Sequence, residues 1–181
     1  MPHAIIFFAD GFEECEGLIV VDLLRRAGIK VTTASVNGKE TVVSSHKVEI
    51  RVDTQAEKAD YDSADIIVLP GGMPGTKNLA ANRIVSEQCR NFAREKYVAA
   101  ICAAPSVLGS LGLLKGKKAT CYPSFERMLE GAFPTYEDVT VDGNIITGRA
   151  LGAAIPFGLE IITALLGADA SRNVAEQICL Q

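Results

Sequence analysis

One cysteine stands where chain geometry can make a thiol reactive. Val98-Ala99-Ala100-Ile101 is a short apolar run that reads as a buried strand. It passes directly into Cys102-Ala103-Ala104-Pro105-Ser106-Val107-Leu108, where an early proline marks the first turns of a helix. A residue at such a bend is held in a constrained backbone conformation, with its side chain at the top edge of the sheet. Unpaired amides and the positive end of the helix dipole stabilise an anion there. The Cys102 thiol is therefore expected to titrate below its free value of about 8.5. The same residue can equally be a small buried hydrophobe, the fate of most free cysteines. Position alone leaves both readings open.

Two further segments end apolar runs in residues suited to binding. Asp10-Gly11-Phe12-Glu13-Glu14-Cys15-Glu16 follows the run at residues 4–9, and Pro70-Gly71-Gly72 follows Ile66-Ile67-Val68-Leu69. Ligands of open α/β sheets lie beyond the carboxyl ends of the strands, and glycines there expose amide N–H groups to them. Glu16 falls in the first turn of a helix, where it can serve chemistry or simply complement the helix amino terminus; Glu13 and Glu14 fit the second role. Phosphate cradles fail on spacing. Five residues after Gly71 and Gly72 come Thr76 and Lys77, and no G-x-G-x-x-G follows a strand.

These segments need a scaffold, and the hydrophobic pattern supplies one. The continuous apolar run at residues 4–9 suits a strand buried on both faces. Residues 13–27 carry Leu18, Val21 and Leu24 at spacings of three, with acids first, Arg25-Arg26 last and Gly28 beyond: an amphipathic helix. A second strand is expected at residues 29–36. Asn37-Gly38 is a turn signal, and residues 40–43 and 48–52 suggest a hairpin beside the main sheet. Further helices are expected at about 82–95, with Ile84, Val85, Cys89, Phe92 and Ala93 inward, and from about 153, burying Phe157, Ile161, Ile162, Leu165 and Leu166. A last one covers about 170–179. Weaker strands are expected around 119–121, 139–141 and 145–147. Alternating strands and helices imply a mostly parallel sheet covered on both faces.

Composition narrows the functional classes. The 181 residues make one domain, 48% hydrophobic and 22% charged, as in ordinary globular proteins. A net charge of −4 argues against nucleic acid as a partner, and no apolar run is long enough for a membrane span. The amino terminus lacks a basic segment before its apolar run, so a secretory signal is not expected. Five scattered cysteines (Cys15, Cys89, Cys102, Cys121, Cys179) and two histidines support neither a disulfide framework nor a metal centre. Reduced thiols in the cytoplasm are the expectation.

Leu69-Pro70-Gly71-Gly72, Ala99-Ala100-Ile101-Cys102-Ala103-Ala104-Pro105 and Glu13-Glu14-Cys15-Glu16 ahead of the stretch from Val21 to Val31 closely resemble the ThiJ/PfpI superfamily, in the branch of the Parkinson-linked oxidative-stress protein and its bacterial relatives. The resemblance runs from Ala4 to about Gly167. It implies a flavodoxin-like three-layer sandwich of the class I glutamine amidotransferase-like kind, spanning residues 1–181 as a single domain. It also implies an oxidisable nucleophile at Cys102 and a homodimer packed partly through the first helix. Glu16 matches the family's protonated glutamate in contact with the cysteine, and Gly72 and Ala103 match residues whose amides form an oxyanion pocket. Gly71, Tyr122 and Arg149 are possible pocket residues.

The chain also departs from the family pattern. Ala103 replaces the histidine that follows the cysteine in the protease-like branch, and Tyr122 replaces a histidine common beside the site. Arg149-Ala150-Leu151-Gly152-Ala153 stands where many relatives have Gly-Pro-Gly-Thr after the arginine, which makes the pocket wall more apolar. His46 aligns with an arginine of some relatives. Cys121 is a conceivable resolving partner for an oxidised Cys102. The resemblance implies a cofactor-free, glutathione-independent glyoxalase or deglycase acting on methylglyoxal-type dicarbonyls or their adducts. The alternative is a redox-sensing or chaperone-like dimer signalling through oxidation of Cys102; hydrolase or amidase activity lacks an obvious base.

Overall fold

The longest apolar runs become the centre of the sheet. In the computed structural model, which describes residues 1–180, β1 (His3–Phe8) is buried along its whole length. The amphipathic helix α1 (Glu14–Arg26) follows, then β2 (Lys30–Ser35), which pairs in parallel with β1 from His3↔Lys30 to Phe8↔Ser35. The hairpin β3 (Thr41–Val43) and β4 (Glu49–Arg51) stands apart from the main sheet, as expected, and β5 (Thr54–Gln55) returns to its edge. β6 (Ile66–Leu69) lies on the other side of β1. α2 (Gly75–Ala81) and α3 (Arg83–Glu95) lead to β7 (Tyr97–Ile101), and α4 (Pro105–Ser110) leaves its end.

β8 (Lys118–Ala119) pairs with β9 (Phe133–Pro134) outside the main sheet, while β10 (Val139–Asp142) and β11 (Ile145–Gly148) form an antiparallel pair at its edge. α5 (Ala154–Leu166) and α6 (Ala168–Gln177) complete the order. The main sheet runs β10-β11-β7-β6-β1-β2-β5. Side chains alternate along β1 and so feed two cores. Ala4, Ile6 and Phe8 pack with α1, α5 and the hairpin residue Val42, whereas Ile5 and Phe7 pack with Leu79, Val85, Cys89, Phe92 and Val107 of α2, α3 and α4. The result is the expected flavodoxin-like sandwich.

Several expectations need correction. Leu18 and Leu166 are exposed rather than buried, because α1 and α5 turn Val20, Leu23 and Leu24, and Phe157, Ile161 and Ile162, toward the core. Ile84, Ala93 and Leu165 pack against the cores only partly buried. The strand expected around 119–121 ends at Ala119; Thr120 instead donates its N–H to the Thr147 hydroxyl. α2, β5 and β9 were not foreseen. β5 and β9 have two residues each and owe their extended form to neighbouring strands.

Candidate active site at the carboxyl edge of the sheet

Cys102 occupies the bend between β7 and α4 with φ of 65°, the left-handed region that costs a residue with a Cβ roughly 1–2 kcal/mol. The surroundings over-determine that conformation. Its N–H donates to the Gly148 carbonyl at 2.9 Å, its carbonyl accepts the Tyr122 N–H at 2.8 Å, and the Ala104 N–H closes the turn onto Ile101 at 3.0 Å. The side chain projects to the α1–α5 side, half-buried.

Glu16 reaches the same point from the next strand end. The Glu13 carboxylate caps α1 and accepts the Glu16 N–H at 2.7 Å, which sets the first turn. The Glu16 side chain is 1% exposed; its Oε2 accepts the Gly71 N–H at 3.0 Å, and the carboxyl hydrogen-bonds Cys102. Gly71 is the spacer. A Cβ there would lie 2.6 Å from both Cys102 Cβ and Glu16 Oε2. Gly72, at φ of 90°, turns its N–H to the sulfur, as does Ala103. The structure thus brings Cys102, Glu16, Gly71, Gly72 and Ala103 together.

The electrostatics differ from the sequence expectation. Burial pushes the Glu16 carboxyl up to about 7, helped by the nearby charge of Glu13 and opposed by its bonds to Cys102 and Gly71. The Cys102 thiol is not lowered. Burial first, and an ionised Glu16 next, push it up to about 12, against the pull of the Gly72 and Ala103 amides. The two groups share one site, so the first proton leaves the pair as a unit near neutrality. A thiolate forms there only with the proton kept on Glu16, because that arrangement removes the opposing charge and turns the carboxyl O–H into a donor.

Other residues are placed differently. Tyr122 is held beside Cys102 through its backbone, with its side chain 47% exposed and its ring edge-on to Phe125 at 6.2 Å. Arg149 belongs to the segment that pairs with Cys102, yet its guanidinium donates to the Tyr136 carbonyl. Cys121 packs into the core on the α2–α4 side, whereas Cys102 borders the α1–α5 core. His3 is buried at the amino end of β1, between the Ser63 and Thr32 hydroxyls. His46 pairs with Glu14 at 2.9 Å, and Glu13, Glu14 and His46 hold ligand-type atoms within 4.8 Å of one another around this exposed ion pair. Sequence reasoning missed the capping role of Glu13. Its signal was the three-residue spacing to Glu16.

Residues 2–164 match the model of the DJ-1/PfpI family. The chain is 41% identical to Protein dj-1beta of Drosophila melanogaster over 96% of this chain and 94% of that protein. It is 30% identical to the glutathione-independent glyoxalase DJR-1.2 of Caenorhabditis elegans, over 93% and 90%. Among solved structures, oxidized Toxoplasma gondii DJ-1 superposes with a TM-score of 0.95 at 31% identity, covering 99% of this chain and 98% of that one.

Proposed function

The chain belongs to the DJ-1/PfpI family, and from that premise we propose a cysteine-dependent, glutathione-independent enzyme acting on methylglyoxal-type dicarbonyls or their early adducts. The observation that carries this reading is the Glu16 carboxyl, titrating near 7 and hydrogen-bonded to Cys102. A group poised at the working pH can both give and take a proton. A relative bearing the glyoxalase name supports the substrate class.

The steps balance without an added oxidant or reductant. The Cys102 thiolate adds to the aldehyde carbon: a C–S bond forms and the carbonyl π pair moves onto oxygen. The Gly72 and Ala103 amides, already directed at the sulfur, stand beside that oxygen. Glu16 protonates it and becomes a carboxylate. That carboxylate removes the hydrogen from the first carbon, the electron pair forming an enediolate with charge on the second oxygen. The proton returns to the second carbon while the hydroxyl proton of the first passes to the second oxygen, leaving the thioester of a 2-hydroxy acid. Water cleaves the thioester and restores the thiol. Incubating purified protein with methylglyoxal and no glutathione should yield lactate, and Cys102→Ala should yield none; equal turnover by the two would overturn the reading.

A redox role for the same sulfur draws support from one feature: Gly72, Ala103 and Glu16 together offer donors to an oxidised cysteine. Mild peroxide followed by peptide mass spectrometry separates the two roles, since selective oxidation of Cys102 without dicarbonyl turnover favours sensing. Hydrolase chemistry is disfavoured, because both imidazoles are committed elsewhere. A homodimer is part of the proposal. Exposed Leu18 lies in an apolar groove with Cys15, Ile19, Leu23, Ile155 and Ile178, a surface suited to a second copy. Five free thiols suit a cytoplasmic location.

A further inference from the structure

Cys102 makes backbone contacts to two other segments and has the Gly72 amide aimed at its sulfur, and each of the three segments carries a large exposed apolar side chain within three residues of that contact. Gly72 is followed directly by Met73, which is 43% exposed. The Tyr122 N–H binds the Cys102 carbonyl, and Tyr122 is 47% exposed. Gly148 accepts the Cys102 N–H, and Leu151, three residues on, is 47% exposed at the start of the turn leading into α5. Apolar side chains scattered singly over a surface need no explanation. These three come from separate segments, and each lies within three residues of a backbone group bonded to Cys102 or aimed at its sulfur.

We infer that Met73, Tyr122 and Leu151 form an apolar collar that selects neutral electrophiles bearing an aromatic or branched alkyl group over small or charged ones. This rests on the reading of Cys102 as a nucleophile and names the substrate class within it: aryl or bulky alkyl 2-oxoaldehydes ahead of methylglyoxal. The Tyr122 ring stands edge-on to Phe125 at 6.2 Å. The Arg149 guanidinium donates to the Tyr136 carbonyl, which directs it toward that segment. An apolar substituent that leaves water against such a wall gains binding that a methyl group cannot match.

The test uses two readouts on the full chain. Reaction of Cys102 with N-phenylmaleimide and N-methylmaleimide is followed by peptide mass spectrometry, with N-acetylcysteine as reference; each reaction adds the thiol across the maleimide double bond. The phenyl-to-methyl rate ratio at Cys102 should exceed that of the reference by about tenfold. It should fall stepwise in Met73→Ser, Tyr122→Ser and Leu151→Ser, reaching the reference value in the triple variant. All three positions are exposed, and a thermal melt checks folding. A wild-type ratio equal to the reference, or one unmoved in the folded triple variant, overturns the collar. Turnover of phenylglyoxal and methylglyoxal is measured in parallel. A high maleimide ratio without turnover of either keeps the collar and ends the glyoxalase reading; turnover with a flat maleimide ratio does the reverse. Failure of both maleimides to label Cys102 ends both.

Discussion

Cys89 and Cys102 lie in different layers of the molecule and are both pushed up to about 12, for reasons that do not make them equivalent. Cys89 faces hydrocarbon in the core beneath α3, and burial alone dominates its shift. Cys102 sits at the rim of the other core, where burial is joined by a neighbouring acid and opposed by two amides. One elevation is permanent. The other depends on where a single proton rests, and a group whose charge can be switched by a neighbour is the one able to do chemistry.

The largest effect should come from removing the two thiols in turn. Cys102→Ala should lower dicarbonyl turnover at least about 1,000-fold, as loss of a nucleophile does. Cys89→Ala should leave turnover intact and register only in a thermal melt. Loss of activity in Cys89→Ala with a native fold would erase the contrast.

Glu16→Gln should come next, lowering kcat by about 100-fold or more through loss of proton transfer. It also has a stability signature. The folded carboxyl titrates near 7 against 4.5 for the unfolded chain, so the native state binds the extra proton between those values. Stability from this group is present below about pH 4.5 and is lost as pH rises toward 7, by roughly 3 kcal/mol in all. Urea unfolding at pH 4.5 and pH 8 should therefore show the Gln variant gaining on wild type at the higher pH. Parallel curves at both would show that Glu16 ionises normally.

Gly71→Ala tests the closeness of the pair. The added methyl meets Cys102 Cβ and Glu16 Oε2 at 2.6 Å, so it should destabilise by about 1–3 kcal/mol and separate sulfur from acid. Smallest is a difference in pH profile. Iodoacetamide should label Cys102 faster as pH rises through about 7, where the pair loses its first proton, and should leave Cys89 unlabelled in folded protein. Equal labelling of the two would remove the distinction.

Much of the scaffold was legible because it rests on local patterns. The unbroken apolar runs became β1, β6 and β7, and charged ends with capping signals bounded α1 and α3. α2 escaped because Gly75-Thr76-Lys77-Asn78 offers no repeating apolar face; it is held by tertiary bonds such as Gly75 N–H to the Gly11 carbonyl. Exposed Leu18 was misread since periodicity ranks residues by type, and the direction a helix faces depends on its neighbours.

The order of residues by itself determined that a cysteine would stand at a strand-to-helix bend, with a glycine pair and a helix-start glutamate at nearby strand ends. Those are consequences of chain connectivity and hydrophobic period. Only the tertiary structure decided the ionisation of that cysteine, because desolvation and the approach of Glu16 act through space. It alone also brought backbone groups of Gly72, Tyr122 and Gly148 to Cys102 from segments far apart along the chain.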